Sequence, residues 1–185
     1  MPRISDKRER LVAAAQALIY QQGFNQTTLA EIAEASDVPL GNVYYYFRTK
    51  EDLVREVIAQ RKDQFRILFN KLDEISEPKQ RLYGLLDALE QNRKDVAKYG
   101  CPVGGLCLEL NKFNPDIAPL ADDLLKDMLA WTVRQFKAMG CADADELGVR
   151  LLVILQGASL LANALHKSTL LTQQFNLARA WIDAL

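Results

Sequence analysis

The sequence has few of the residues on which catalytic and metal sites usually depend. Of its 185 residues, one is histidine and three are cysteines: His166, Cys101, Cys107 and Cys141. An odd number of cysteines without regular metal-ligand spacing argues against a disulfide framework and against a zinc site, and it favours a reducing compartment. We therefore expect no metal, no cofactor and a cytoplasmic location.

Long apolar runs are also lacking. The most apolar stretch, residues 149–165, is interrupted by four polar residues, Arg150, Gln156, Ser159 and Asn163. It falls short of the roughly 18 uninterrupted apolar residues that indicate a membrane span. The first residues are polar and charged where a signal peptide has an apolar core. The sequence predicts no membrane partner and makes residues 149–165 part of a buried helix.

No charge of either sign dominates the chain. It has 23 basic and 24 acidic residues, a formal net charge of −1, so binding to nucleic acid through bulk charge is disfavoured. Basic residues lie instead at the two ends of the first fifty positions, in the stretch from Arg3 to Arg10 and at Arg48 and Lys50. Phosphate contacts and an ordinary solvated helix start remain equal explanations for Arg3 to Arg10.

Residues 27–50, TTLAEIAEASDVPLGNVYYYFRTK, predict two short helices joined by a tight turn. Thr28 and Glu31 have the spacing of a capping box, which starts a helix at Thr28. Asp37 tolerates the left-handed conformation that a turn needs. Pro39 favours the first turn of a second helix because its φ is already helical. Two helices joined in this way form a helix-turn-helix, whose second helix lies in the major groove of DNA.

The same segment and its surroundings carry a longer pattern of spaced residues: Thr28, Ile32, Ala33, Ala35, Val38, Gly41, Tyr44, Tyr46, Phe47, Lys50, Glu51 and Leu53. This pattern, within roughly residues 7–55, resembles the N-terminal domain of the tetracycline-repressor-like (TetR) family of bacterial transcription regulators. The rest of the chain is similar only in length and helical composition. The resemblance implies an all-α fold. The resemblance also implies two domains. Residues 1–50 would form a three-helix DNA-binding domain, and residues 51–185 a helical regulatory, ligand-binding and dimerisation domain.

The resemblance also implies roles for single residues. Thr28, Tyr44 and Lys50 match phosphate contacts, and the variable positions of the recognition helix that face the groove are Leu40, Asn42 and Tyr45. The alternative for the three tyrosines is that they only pack, and we favour packing for Tyr46 and Phe47.

Three further positions in or beside the recognition helix bear on the match. A Cβ atom at Gly41 would push the helix away from the DNA backbone. Asp37 stands where the family usually has glycine. Pro39 stands where it often has a Ser or Thr that contacts phosphate, so one expected phosphate contact is absent.

Apolar spacing predicts helices along the rest of the chain. The first runs to Gln22, is capped by Ser5 or Asp6 and stops at Gly23. The others span residues 50–75, 78–99, 106–112, 116–139, 143–167 and 171–185. Residues 100–105 are expected to be irregular, and Asn114-Pro115 breaks the chain again.

The last two predicted helices have apolar residues on more than one face. They can form half of a two-fold four-helix interface, which is where the resembled family dimerises. The candidate interface residues are Leu151, Leu155, Ala158, Ala162, Phe175 and Trp181. The alternative is that these residues belong to the internal core, and both uses can coexist on different faces.

Residues 99–110, YGCPVGGLCLEL, are similar to a motif in the regulatory domains of one TetR subgroup, which includes electrophile- and redox-responsive repressors. Cys101 precedes a helix start, whose N–H groups favour a thiolate. Aromatic candidates for an apolar ligand pocket are Tyr83, Tyr99, Phe113 and Trp131. Each cysteine can instead be a small buried hydrophobe, each aromatic residue a core residue, and His166 a surface or capping residue.

The sequence therefore predicts a homodimeric transcriptional regulator, more often a repressor in this family, that binds a pseudo-palindromic operator in double-stranded DNA. A small molecule or electrophile bound in residues 51–185 would release it. The alternative is a TetR-like protein that serves chromosome organisation or recruits a protein partner without small-molecule control. An enzyme that uses Cys101 as nucleophile is disfavoured, because His166 is the only histidine and no acid–base pair accompanies it.

Overall fold

The chain forms only α-helices in the part that the computed structural model describes, residues 6–185. The ten helices of that part are α1 (Lys7–Gln22), α2 (Leu29–Ala35), α3 (Leu40–Tyr46), α4 (Lys50–Asp73), α5 (Pro78–Glu90), α6 (Arg93–Tyr99), α7 (Gly104–Phe113), α8 (Ala118–Ala138), α9 (Ala144–Ala164) and α10 (Thr169–Asp183). The predicted all-α fold class is confirmed. The predictions for Arg3 and Ser5 fall outside the described residues.

Most helix ends lie where the local sequence predicts them. Asp6 occupies the N-cap position of α1, and Gly23 ends this helix with a φ of 91°. The break at Asn114 also occurs as predicted, between α7 and α8. Two predictions were wrong. Gly104 and Gly105, expected to be irregular, open α7, and residues 78–99 form two helices rather than one. The interruption falls at Gln91-Asn92, where Asn92 has a non-helical φ of −93° and ψ of 12°, and asparagine is a weak helix former.

Backbone contacts divide the chain into two compact units. The first contains the residues up to Asp63 together with residues 105–122, and the second contains residues 64–104 and 123–185. Residues 51–63 and 105–122 are thus grouped with the helix-turn-helix. The domain boundary near residue 50 stays a prediction.

The first unit buries one face of each short helix. On α1 the residues Leu11, Ala15 and Ile19 are buried at a spacing of four, which places them on one side of the helix. Ile32 of α2 and Val43 of α3 have no exposed surface.

The second unit has a core built from α4, α5, α6, α8, α9 and α10. Phe69 stacks on Trp131 with ring centroids 4.9 Å apart. Helices α8 and α9 approach closely, since a Cβ atom on Gly148 would lie 2.5 Å from Cγ2 of Val133.

Helix α9 alone among the helices of residues 6–185 is long and apolar enough to cross a membrane by length and composition. Core helices of soluble proteins pass the same test. Its buried residues include Leu147, Leu151, Leu155 and Ala158, which belong to the core of the second unit. This packing makes α9 a core helix, as the sequence predicts.

Candidate nucleic-acid interface and effector site

Helix α2 starts with the predicted capping box. Thr28 is extended, its Oγ1 accepts the backbone N–H of Glu31 at 3.2 Å, and its own N–H donates to Oε2 of Glu31 at 2.8 Å. Hydrogen bonds from the Thr28 hydroxyl and then from its backbone hold the pKa of Glu31 below its usual value. The start of α2 is therefore fixed locally. The Thr28 hydroxyl also donates to Glu31 Oε2 at 2.8 Å.

The turn between α2 and α3 depends on a left-handed residue. Asp37 has a φ of 51°, as the sequence predicts for this position. Pro39 follows with a φ of −53° and a ψ of 135°, so it occupies the N-cap and α3 begins at Leu40. Pro39 thus lies just before the first turn of the helix, not in it, because its ψ is extended.

One face of helix α3 is buried against the rest of the first unit, and the opposite face is exposed. Val43 and the following Phe47 are buried, whereas the exposed fractions are 41% for Leu40, 54% for Tyr44 and 83% for Tyr45. Three of the residues predicted to meet DNA thus lie on the exposed side.

The other predicted positions of the recognition helix agree with this division. Asn42 and Tyr46 are half-buried, and the Tyr46 ring meets that of Tyr45 edge to face at 5.0 Å. A Cβ atom on Gly41 would meet nothing within 4 Å inside the chain. Packing within the chain therefore does not require a glycine at position 41. Close approach to DNA is an explanation that is still available for it.

Lys50 has an internal role that the sequence did not indicate. Its Nζ donates to the carbonyl oxygens of Phe24 at 2.7 Å and Asn25 at 3.3 Å, and it lies 4.3 Å from the centroid of the Phe24 ring. Its phosphate contact stays a prediction.

Two arginines of α1 are also bound within the chain. Arg10 donates to the backbone carbonyls of Ser36 and Asp37 and to Oδ2 of Asp37 at 3.1 Å. Arg8 pairs with Glu56 and lies over the ring of Phe47. Neither arginine is merely part of a solvated helix start, and Arg10 holds the turn that orients α3.

A carboxylate distant in sequence contacts the turn between α1 and α2 of the first unit. Glu109 of α7 accepts the backbone N–H groups of Phe24 at 2.8 Å and Asn25 at 2.7 Å. In the sequence, Glu109 is only an acidic residue between Leu108 and Leu110, and this pattern does not indicate its contact with the turn.

The candidate sensor, Cys101, lies in the second unit just before α7. It is half-buried, and its Sγ accepts the N–H of Gly104, the first residue of α7, at 3.3 Å. The expected contact between the sulfur and a helix start is therefore present. Cys107 is buried and Cys141 half-buried.

The aromatic candidates have different surroundings. Trp131 is buried in the core, and its Nε1–H donates to Oδ1 of Asp73 at 3.0 Å. The Tyr83 hydroxyl donates to Asp183, and burial together with this carboxylate raises the pKa of Tyr83 to about 12.

The remaining two candidates are more accessible. Tyr99 is half-buried, with the Lys98 ammonium 4.8 Å from its ring centroid, and Phe113 is exposed. A ligand pocket lined by the four aromatic residues stays a prediction.

The six candidate residues for the dimer interface differ in their exposure within the single chain. Five of the six candidates are buried in the core of the single chain: Leu151, Leu155, Ala158, Ala162 and Phe175. This burial fits the internal-core alternative, and a role for these residues in a dimer interface stays a prediction. Trp181 is half-buried, with the Arg150 guanidinium carbon 4.4 Å from its ring centroid.

Residues 11–57, which contain this helix-turn-helix, match the model of the bacterial regulatory proteins of the tetR family. A crystal structure of regulatory protein TetR from Rhodobacter sphaeroides superposes with a TM-score of 0.83 at 25% identity, covering 95% of this chain and 98% of that one. This N-terminal segment is therefore a TetR-family domain.

Curated members of the family are similar over nearly their whole length. The uncharacterized HTH-type transcriptional regulator in the lacX 3′ region of Lactococcus lactis is 25% identical, over 95% of this chain and 93% of its own. The transcriptional repressor KstR2 of Mycolicibacterium smegmatis is 24% identical, over 83% of this chain and 90% of its own. Over most of its length the chain is thus similar to helix-turn-helix transcriptional regulators and repressors.

The left-handed conformation of Asp37 predicts how substitutions at this position change stability. Asp37→Gly should raise the free energy of unfolding by up to about 1 kcal/mol, because glycine adopts a positive φ without steric cost. Asp37→Val should lower it by about 1–2 kcal/mol, because a β-branched side chain clashes there. Urea denaturation followed by circular dichroism measures both.

Asp37→Asn is the matched control for the ion pair with Arg10. Asparagine keeps the tolerance for this backbone conformation and loses only the charge of a fully exposed carboxylate, which contributes at most about 1 kcal/mol. A valine variant as stable as the asparagine variant would contradict the backbone explanation.

Proposed function

We propose that the chain is a homodimeric repressor that binds a pseudo-palindromic DNA operator and leaves it when an effector binds to residues 64–104 or 123–185. The observation that carries the proposal is the division of α3. Its buried Val43 anchors the helix, and the side chains of Leu40, Tyr44 and Tyr45 project from the surface. A helix-turn-helix reads DNA with this arrangement, and two copies are needed because one short helix contacts too few bases.

The exposed stripe of α9 supports homodimer formation. Val149, Val153, Leu160 and Leu161 are each about half exposed or more. Gly157, between them, has nothing within 4 Å of an added Cβ atom. At 100° per residue the four apolar residues lie on the side of α9 opposite to its buried residues. A continuous apolar stripe with a small residue at its centre suits a second copy of the same helix.

Charge on this exposed stripe should give monomers. Val153→Glu or Leu160→Glu would bury a carboxylate in an apolar interface, so both variants should dissociate at micromolar concentration and lose operator binding. Light scattering and an electrophoretic shift assay measure these outcomes. Ile67→Glu is the control, because Ile67 is an equally exposed apolar residue on α4. If the unmodified protein is monomeric, or if both variants remain dimers, the stripe is not the interface.

The groove-facing residues should differ from the phosphate-contacting ones in their effect on specificity. Asn42→Ala should reduce discrimination at one base step by about 1–3 kcal/mol, since base contacts carry sequence information. Tyr44→Phe should weaken binding to all sequences alike, since a phosphate contact carries none. Titrations of operator and scrambled duplexes at several salt concentrations separate the two effects. Unchanged affinity and specificity in both variants would overturn the placement of α3 in the groove.

Effector control is proposed for the segment around Cys101. The half-buried thiol and its contact with the first N–H group of α7 support a reaction that changes this helix start. A bound apolar ligand in the same unit is the second form of the same proposal. In either form the effector acts only if it has different affinities for the DNA-binding and the released states.

Cys101 should be alkylated faster than Cys107, which is buried, and its adduct should weaken operator binding. Iodoacetamide footprinting by mass spectrometry, followed by an operator titration of the modified protein, measures both. The Cys101→Ser variant should lose the response, and Cys141→Ser should keep it as the control. A response to alkylation that survives in Cys101→Ser would leave reversible ligand binding as the form of control.

A further inference from the structure

The turn between α1 and α2 is held from two sides by charged side chains of the first unit. The carboxylate of Glu109 accepts the N–H groups of Phe24 and Asn25 at 2.8 and 2.7 Å. The ammonium of Lys50 donates to the carbonyl groups of the same two residues at 2.7 and 3.3 Å. Both backbone polar groups of each of these two residues therefore have a charged partner. Hydrogen bonds to charged groups are roughly twice as strong as those between neutral groups.

The Glu109 carboxylate packs tightly against the backbone of Gly23. Gly23 has a φ of 91°, and a Cβ atom there would lie 3.1 Å from both carboxylate oxygens. Glycine thus provides the backbone conformation that ends α1 and also the space in which the carboxylate sits. Because Glu109 takes both N–H groups with its two oxygens, a shorter or uncharged side chain cannot replace it fully.

The held turn leads directly into the DNA-reading helices. Thr27 is fully buried, and its Oγ1 donates to the carbonyl of Gly23 at 2.7 Å. The next residue, Thr28, is the N-cap of α2. The position of residues 23–25 therefore sets where α2 begins, and α2 leads through the Asp37 turn to α3.

We propose that Glu109 is a positioning residue for operator binding. It acts by fixing the α1–α2 turn rather than by touching DNA, and the inference rests on the proposed function.

The test is Glu109→Gln, an isosteric change, with Asp116→Asn as the control. Asp116 is exposed and belongs to the same unit, so its loss changes net charge equally without touching the turn. An amide can accept one of the two N–H groups but presents its own donor to the other. Operator affinity should fall about tenfold or more, while affinity for scrambled DNA changes no more than it does in Asp116→Asn. A pure charge effect has the opposite sign, because loss of a negative charge strengthens binding to all DNA.

Two further measurements separate positioning from a general loss of structure. The amide protons of Phe24 and Asn25 should shift upfield and exchange faster in Glu109→Gln, with the amides of the second unit unaltered. Glu109→Asp keeps the carboxylate and should recover part of the operator affinity.

Each outcome of the test decides the inference. Unchanged operator affinity, or a gain equal to that of Asp116→Asn, overturns the role of Glu109 while the proposed function stands. A fall in affinity with unchanged amides of Phe24 and Asn25 also overturns it. A variant that fails to fold, with Glu109→Asp failing as well, overturns it too, since the carboxylate would then be a general stability determinant. Absence of sequence-specific binding by the unmodified protein defeats the proposed function itself.

Discussion

The DNA-reading part of this protein depends on helices that are too short to be stable alone. Helices α2 and α3 have seven residues each, and isolated helices of that length do not persist in water. Their stability comes from their ends and from one buried face. The capping box at Thr28 and the left-handed Asp37 fix the ends, while Val43 and Phe47 supply the buried face. Everything that α3 presents to DNA depends on these anchors.

Charged side chains support the main chain at the turns on both sides of α2. Arg10 holds the carbonyl groups of Ser36 and Asp37, and Lys50 and Glu109 hold residues 24 and 25. These contacts explain how a chain with a net charge of −1 uses basic residues near a DNA-binding element. Part of that basic charge, on Arg10 and Lys50, stabilises the turns of the helix-turn-helix by binding backbone carbonyl groups. The formal charge of the first fifty residues is therefore a poor guide to the number of phosphate contacts.

Helix α9 joins two requirements in a single element. One side packs into the core of the second unit with Leu151 and Leu155, and the opposite side exposes Val153 and Leu160. This pattern accounts for a composition apolar enough to resemble a membrane span. Apolar character alone does not tell which side of such a two-sided helix faces inward.

The sequence by itself determined the features that arise within a few residues of one another. The capping box, the stop at Gly23, the turn at Asp37 and most helix ends depend on local backbone preferences. The spaced pattern of residues 28–53 indicated the resemblance to the TetR family, whose domain model matches residues 11–57. The interruption at Asn92 was missed because asparagine is only weakly unfavourable in a helix. Tertiary structure alone decided which face of α9 is buried and which turn Arg10 holds. It also joined Glu109 to Phe24 across 85 positions, since a contact between distant segments leaves no period or spacing in the sequence.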